Sequence, residues 1–183
     1  MTWVPTIQNC DTYMDERTGK YEFRAVRYRA AIEAMFANGL DDTMTVMDIG
    51  AGMTEFDYCL RKEYDWRGRY IPIDGGIDGT DLEEWEPVRD AHWFVALEIL
   101  EHLNKWPTLV MHMQAKATQG IVVSTPNPRT TDVLGMDPTH KRAVHPAGLR
   151  TFNFKVTEET FYGGVFSNGE PDSLFGVWTK GNE

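Results

Sequence analysis

The stretch "VMDIGAGMTEF", residues 46–56, decides the fold. An apolar, β-rich run ends in two glycines, an amphipathic segment follows, and an acid, Asp48, stands just ahead of the turn. Working outward, residues 43–49 read as a buried strand and 53–64 as a helix with Phe56 and Leu60 on one face. Upstream, Tyr28, Ala31, Ile32, Met35 and Phe36 recur at i, i+3, i+4, i+7 and i+8. That spacing predicts a helix over 21–38, which Asn38-Gly39 can stop.

Downstream, 69–73 is a second strand closed by the turn cluster "DGGIDGT", and "HWFVAL", 92–97, is a third. Asn104 and Pro107 open a helix carrying Leu109, Val110 and Met113, with Gly120 as its stop. "IVVS", 121–124, is a run of the kind buried on both faces of a parallel sheet. Residues 125–150 form a long loop rich in Pro, Thr and Asp, a length uncommon unless functional. In the tail, "VTEETFYG" and "SLFGVWTK" read as two strands of a hairpin joined by "SNGEPD". This alternation predicts an α/β, Rossmann-like, mostly parallel sheet with helices on both faces and a C-terminal antiparallel hairpin. One domain spanning residues 1–183 accommodates it. In such sheets ligands bind outside the carboxyl ends of the strands.

Composition narrows the function. Hydrophobic content of 42% with 25% charged residues is ordinary for a globular chain. A net charge of −10 repels a phosphate backbone and excludes a long duplex footprint. Arg17, Lys20, Arg24, Arg27 and Arg29 cluster early; Arg129, Lys141, Arg142, Arg150 and Lys155 cluster late, beside His140 and His145. These fit either two solvated faces or a basic rim suited to an anionic substrate. Cys10 and Cys59 are too few for a disulfide scaffold, and Cys59 reads as core packing. No signal peptide and no apolar run of membrane-spanning length is recognisable, so a cytoplasmic protein without membrane contact is expected.

The turn selects among cofactors. A dinucleotide fingerprint needs a third small residue, but Glu55 stands there and its charge would face a pyrophosphate. No Walker loop is present. Asp48 is a poor neighbour for phosphates and a good one for an ammonium group. Asp74, at the end of the second strand, can accept hydrogen bonds from both hydroxyls of a ribose, unless such acids only cap helices or shape turns. An uncharged turn, an acid for an amine and an acid for a ribose describe S-adenosylmethionine.

A second constellation follows the third strand. "LEILEHL" places Glu98, Glu101 and His102 at i, i+3 and i+4, on one face if a helical turn follows. Two carboxylates and an imidazole suit Mg²⁺ or Mn²⁺ with positions left open for substrate oxygens, and His140 in "DPTHKR" is the best placed fourth ligand. The plainer alternative is that Glu98 contacts cofactor or substrate while His102 packs. His102 or His145 could accept a proton.

Taken together, these segments resemble the class I S-adenosylmethionine-dependent methyltransferases. "VMDIGAGMTEF" resembles their first motif, "YIPIDGG" the second, "GTDLEEW" the adenine-side segment and "ALEILEHL" the segment after the fourth strand. The resemblance spans about residues 28–180. It implies a seven-stranded sheet, with Asp48, Gly50 and Gly52 at the methionine end, Asp74 at the ribose, Asp81 and Leu82 at the adenine, and Glu98 facing the cofactor. Two departures stand out: Thr54 replaces the family's usual third glycine, and the span from Asp74 to Asp81 leaves little room for the second crossover helix.

E-x-x-E-H, then "STPN", then His140, resembles the small-RNA 3′-terminal 2′-O-methyltransferases, and the first part also resembles the ubiquinone-pathway O-methyltransferases. That resemblance implies Glu98, Glu101, His102 and His140 as ligands of a metal that holds adjacent substrate hydroxyls. The expected activity is O-methylation of a small molecule or of a nucleotide or RNA end, in a site open or completed by a homodimer. A catalytically inactive scaffold of the same fold is the alternative. "STPNP" follows the wrong strand to grip a base nitrogen, and the six tryptophans read as core or lid, with Trp85 placed to stack on an adenine.

Overall fold

A computed structural model describes residues 7–181, with side chains from residue 21 onward. Trp3 and the side chains of Cys10, Arg17 and Lys20 lie outside the described residues. In chain order the elements are α1 (Ile7–Ala37), β1 (Thr45–Ile49), α2 (Glu55–Lys62), β2 (Arg69–Ile73), α3 (Gly75–Asp78), β3 (Ala91–Leu97), α4 (Trp106–Lys116), β4 (Ala117–Pro126), α5 (Val133–Met136), α6 (Pro146–Thr151), β5 (Lys155–Glu159) and β6 (Ser173–Thr179). A 3-10 turn, Leu100–His102, follows β3.

The sheet has strand order β2-β1-β3-β4-β6-β5. β1 to β4 run parallel, and β6 pairs antiparallel with both β4 and β5. Alternation along each strand splits the core in two, because successive side chains leave a strand on opposite faces. Trp93, Val95 and Leu97 of β3 join Val46 and Phe175 under α1 and α2, where Tyr21, Ala25, Tyr28, Ile32 and Met35 supply the helical face. Phe94 and Ala96 join Met47, Ile49, Ile121 and Val123 under α4, with Leu109, Val110 and Met113. Trp66, Trp93 and Cys59 are buried in the first layer, as the sequence suggested.

Three expectations need correction. Among the described residues the sheet has six strands, not seven, because residues 74–90 suffice for one connection over β1 and not for two connections plus a strand. What remains of the second crossover helix is α3, four residues capped by Asp74. The hairpin loop runs over 160–172, longer than "SNGEPD". Buried Asp172 organises it by accepting from the backbone N–H groups of Tyr162 and Gly164 and from the Ser173 hydroxyl. Thirdly, Gly120 is not a helix stop: α4 ends at Lys116 and Gly120 lies within β4.

The reason for Gly120 is close approach. A Cβ there would sit 2.5 Å from the Trp93 ring and 2.6 Å from the Trp178 carbonyl oxygen. Neither the fully buried ring nor the sheet backbone can yield easily. Gly120→Ala is therefore expected to destabilise the chain by about 1–3 kcal/mol through overpacking, read as a drop in thermal midpoint without loss of the far-ultraviolet signature.

Candidate functional site

The turn after β1 is built by Gly50, whose φ of +76° favours glycine and where a Cβ would lie 2.6 Å from the Ile99 side chain. The Gly50 N–H donates to the Ile73 carbonyl at 2.8 Å, tying the turn to the end of β2. Thr54, in place of a third glycine, adopts φ 58° and ψ 29°. The turn thus keeps a left-handed residue there, at a cost of about 1–2 kcal/mol for a side chain in that region.

A cavity of about 280 Å³ opens over this turn, lined by Asp48, Gly50, Gly52, Tyr28, Arg24 and Glu98 among others. Asp48 is buried and accepts from the Tyr70 hydroxyl at 2.5 Å. Burial pushes its carboxyl up to about 7, against the lowering effect of the Tyr70 hydrogen bond. Asp74 accepts from Gly76 N at 2.7 Å through one oxygen and from Gly52 N at 3.0 Å through the other. It therefore does cap α3, as the plainer reading held, and it also holds the glycine turn. Each of its oxygens keeps a further lone pair.

Glu55 does not face the cavity as a free charge. It is buried, accepts from Arg24 Nε at 2.5 Å and from the Tyr28 hydroxyl at 2.9 Å, and so ties α1 to α2. Asp81 is exposed and accepts from the Glu83 N–H in a local turn, while Leu82 and Trp85 pack against the second core layer. Neither Asp81, Leu82 nor Trp85 borders the cavity over the turn.

A second cavity of about 490 Å³ adjoins the first and shares Arg24, Arg27 and Glu98 with it. Glu98 takes a left-handed φ of +55° at the end of β3, and its carboxylate accepts from the Ser124 hydroxyl at 2.7 Å. Strained residues of this kind concentrate at functional sites. Glu101 is almost wholly buried. One oxygen accepts from the Thr125 hydroxyl at 3.0 Å, and the other, Oε1, has no partner. Burial, and then the charge of Glu98, hold its carboxyl well above the usual range.

The two histidines are fixed by their neighbours. His140 Nδ1 lies 2.5 Å from the Val133 carbonyl oxygen, which can only accept, so Nδ1 carries the proton. Thr139 Oγ1 donates to Asp137 at 2.6 Å, so it accepts from His102 Nδ1 at 3.0 Å. Nδ1 of each imidazole is thus occupied, which leaves Nε2 as the nitrogen available to a ligand. The rings meet edge to face with centroids 4.7 Å apart. Burial, and then the neighbouring His140, push the His102 pKa down and keep it neutral. One ligand atom from each of Glu101, His102 and His140 falls within 4.8 Å of the others.

Of the residues predicted from sequence, the fold gathers Glu101, His102 and His140 into one cluster, with Glu98 beside it facing both cavities. His145 is not brought in. It is the exposed N-cap residue of α6, because Pro146 starts that helix and turns the imidazole outward from the lining of either cavity. Four cations of the expected basic rim are paired: Arg24 with Glu55, Arg29 with Glu63, Arg129 with Glu158 and Lys141 with Glu83.

Sequence reasoning missed the Arg27–Tyr162 contact. Arg27 is buried, donates to the Tyr162 hydroxyl, and leaves its Nε without a partner. Burial works against its charge, and the Tyr162 and Tyr28 oxygens with Glu98 and Glu101 more than offset that. The signal was available in part. Arg24 and Arg27 fall on the turn before Tyr28, where an amphipathic helix facing a plain core carries apolar residues.

No family model matches the chain, and no curated protein sequence matches it. Solved structures do. A SAM-dependent methyltransferase from Archaeoglobus fulgidus is 20% identical with a TM-score of 0.65, covering 92% of this chain and 98% of that one. The putative methyltransferase in complex with the Haloferax volcanii Trm112 activator is 12% identical at a TM-score of 0.62, covering 91% and 92%. The small RNA methyltransferase HEN1 is 13% identical at 0.62, with 85% of this chain matching 25% of that one. No helix among the described residues is long and apolar enough to cross a membrane. The chain has the fold of the class I S-adenosylmethionine-dependent methyltransferases.

Proposed function

We propose that the protein transfers a methyl group from S-adenosylmethionine to a hydroxyl oxygen, with a divalent ion held by Glu101, His102 and His140. The observation that carries this reading is the joining of two cavities at Glu98. One is floored by the glycine turn and Asp48, the other by a buried carboxylate oxygen without a partner between two imidazoles. In the first, Asp48 pairs with the cofactor's ammonium group; Asp74 stands outside that cavity's lining, bonded to its Gly52, and there accepts from the ribose.

In the second, one carboxylate oxygen and two imidazoles, whose Nδ1 sides are taken by threonine and backbone oxygens, suit Mn²⁺; Mg²⁺, which prefers oxygen ligands throughout, fits this set less well. When bound, such an ion lowers the pKa of a coordinated hydroxyl. Glu98 borders both cavities and accepts the hydroxyl proton as the O–CH₃ bond forms and the S–CH₃ bond breaks, leaving a neutral thioether. This role, expected of His102 or His145, passes to Glu98, since His145 is exposed on another element and His102 is assigned to the ion.

A catalytically silent scaffold remains the rival reading, and the lost strand beside β2 is the feature that favours it. The retained left-handed turn at Thr54 weighs against it. Calorimetric titration with S-adenosylmethionine is expected to give saturable 1:1 binding. An absence of heat together with no methylated product by mass spectrometry would leave the scaffold.

A further inference from the structure

We propose that β5 is a self-association edge: two copies of this chain pair their β5 strands antiparallel about a two-fold axis at Thr157 and join their sheets into one. The proposal is independent of the methyl-transfer reading above, since no residue of β5 lines either cavity of the candidate site.

The backbone supplies the first observation. Among the described residues β5 and β2 are the two edges of the sheet. The Lys180 N–H donates to the Gln119 carbonyl oxygen and the Asn127 N–H to that of Asp172, which fixes the phase of the β4–β6 ladder. Bonding alternates along an antiparallel pair, so Lys155, Thr157 and Glu159 turn their backbone groups toward β6. Val156 and Glu158 turn theirs outward. β5 carries no proline and pairs with β6 in one unbroken register. The opposite edge is closed. The Arg69 N–H bonds to Met44 and the Ile73 carbonyl to Gly50, at the two ends of β1, so Pro72 faces outward and has no N–H to offer.

The charges supply the second observation. Rotation about Thr157 sets Lys155 of one copy opposite Glu159 of the other, and the reverse, with the two threonines between them. All three side chains share the face that Phe175 and Val177 occupy on β6, along one wall of a groove of about 370 Å³. Among the described residues neither Lys155 nor Glu159 has an ion-pair partner. The Thr157 hydroxyl donates to Glu159 at 2.7 Å and holds that carboxylate beside the axis. Glu158, on the other face, is already paired with Arg129. An edge that charge protects from pairing repels a second copy; this row attracts its own. The net charge of −10 opposes approach at long range, but physiological salt screens it beyond about 8 Å.

The test is sedimentation equilibrium of the whole protein over a range of concentrations. A five-residue strand pair is a small interface, so a reversible dimer with a dissociation constant of about 10–100 µM is expected. Lys155→Glu and Glu159→Lys each set like charges opposite one another and should weaken the dimer at least about tenfold. Mixed together, these two variants should form a heterodimer within about threefold of the parent's affinity, because each ion pair regains one partner from each chain. Val156→Pro removes an outward N–H and should abolish association, with the far-ultraviolet signature and a cooperative melt retained.

A parent chain that stays monomeric to about 500 µM would overturn the proposal. So would a dimer that both charge reversals leave intact, or reversed variants that fail to pair in the mixture. The charge variants decide the matter even if Val156→Pro does not fold, since their side chains lie on the exposed edge.

Discussion

Glu101→Gln is expected to abolish stimulation by Mg²⁺ or Mn²⁺ and to lower methyl transfer about 100-fold or more. Several kcal/mol of charge stabilisation at the reacting oxygen would be lost. The change is isosteric, and the amide oxygen can still accept from Thr125. The metal-free protein should melt no lower than the parent, because the replaced group is a buried carboxyl whose Oε1 has no partner. Chelator treatment of the parent should reproduce the same loss. Full activity of Glu101→Gln in chelator would remove the ion from the mechanism and return the cluster to a packing role.

The second large effect belongs to Asp48. Its folded-state carboxyl titrates near 7 against an ordinary value of 3.8, so the folded chain holds a proton that the unfolded chain releases. Stability contributed this way is present below about pH 4 and is lost as pH rises through 7, by on the order of 4 kcal/mol. Cofactor binding should show the opposite slope, since an ammonium group pairs with the ionised carboxylate. Affinity should rise up to tenfold per pH unit toward 7 and then level off. Asp48→Asn should flatten both profiles, melt higher than the parent at pH 8, and bind S-adenosylmethionine at least about tenfold more weakly there. Titration calorimetry between pH 5.5 and 8.5 beside thermal melts reads both. A variant that binds as tightly as the parent would place the ammonium elsewhere.

These two sites were legible in the chain to different depths. The β1–turn–α2 unit could be read because its signals are local: an apolar run, two glycines, then a 3.6-residue period between Phe56 and Leu60. Glu101 and His102 share one 3-10 turn, so their spacing carried the cluster, and His140 joined them across the long loop. Arg27 and Tyr162 could not be joined, because 135 positions separate them and only the hairpin loop organised by Asp172 brings them together. Separations of 31 and 34 positions likewise hid the pairing of Arg24 and Arg29, whose partners Glu55 and Glu63 come from another helix and its C-cap. His145 misled for a local reason: its basic neighbourhood suggested a site, but Pro146 makes it a helix cap. The missing strand was half legible, in the short run after Asp74.

The most direct measurement is a crystal grown with S-adenosylhomocysteine, soaked in Mn²⁺ and measured for the metal's anomalous signal. The expected map has one strong peak bounded by Glu101, His102 and His140. It also has the nucleoside's ribose against Asp74 and its amino group against Asp48. A peak elsewhere, or a nucleoside lying away from both aspartates, would contradict the paired-cavity mechanism.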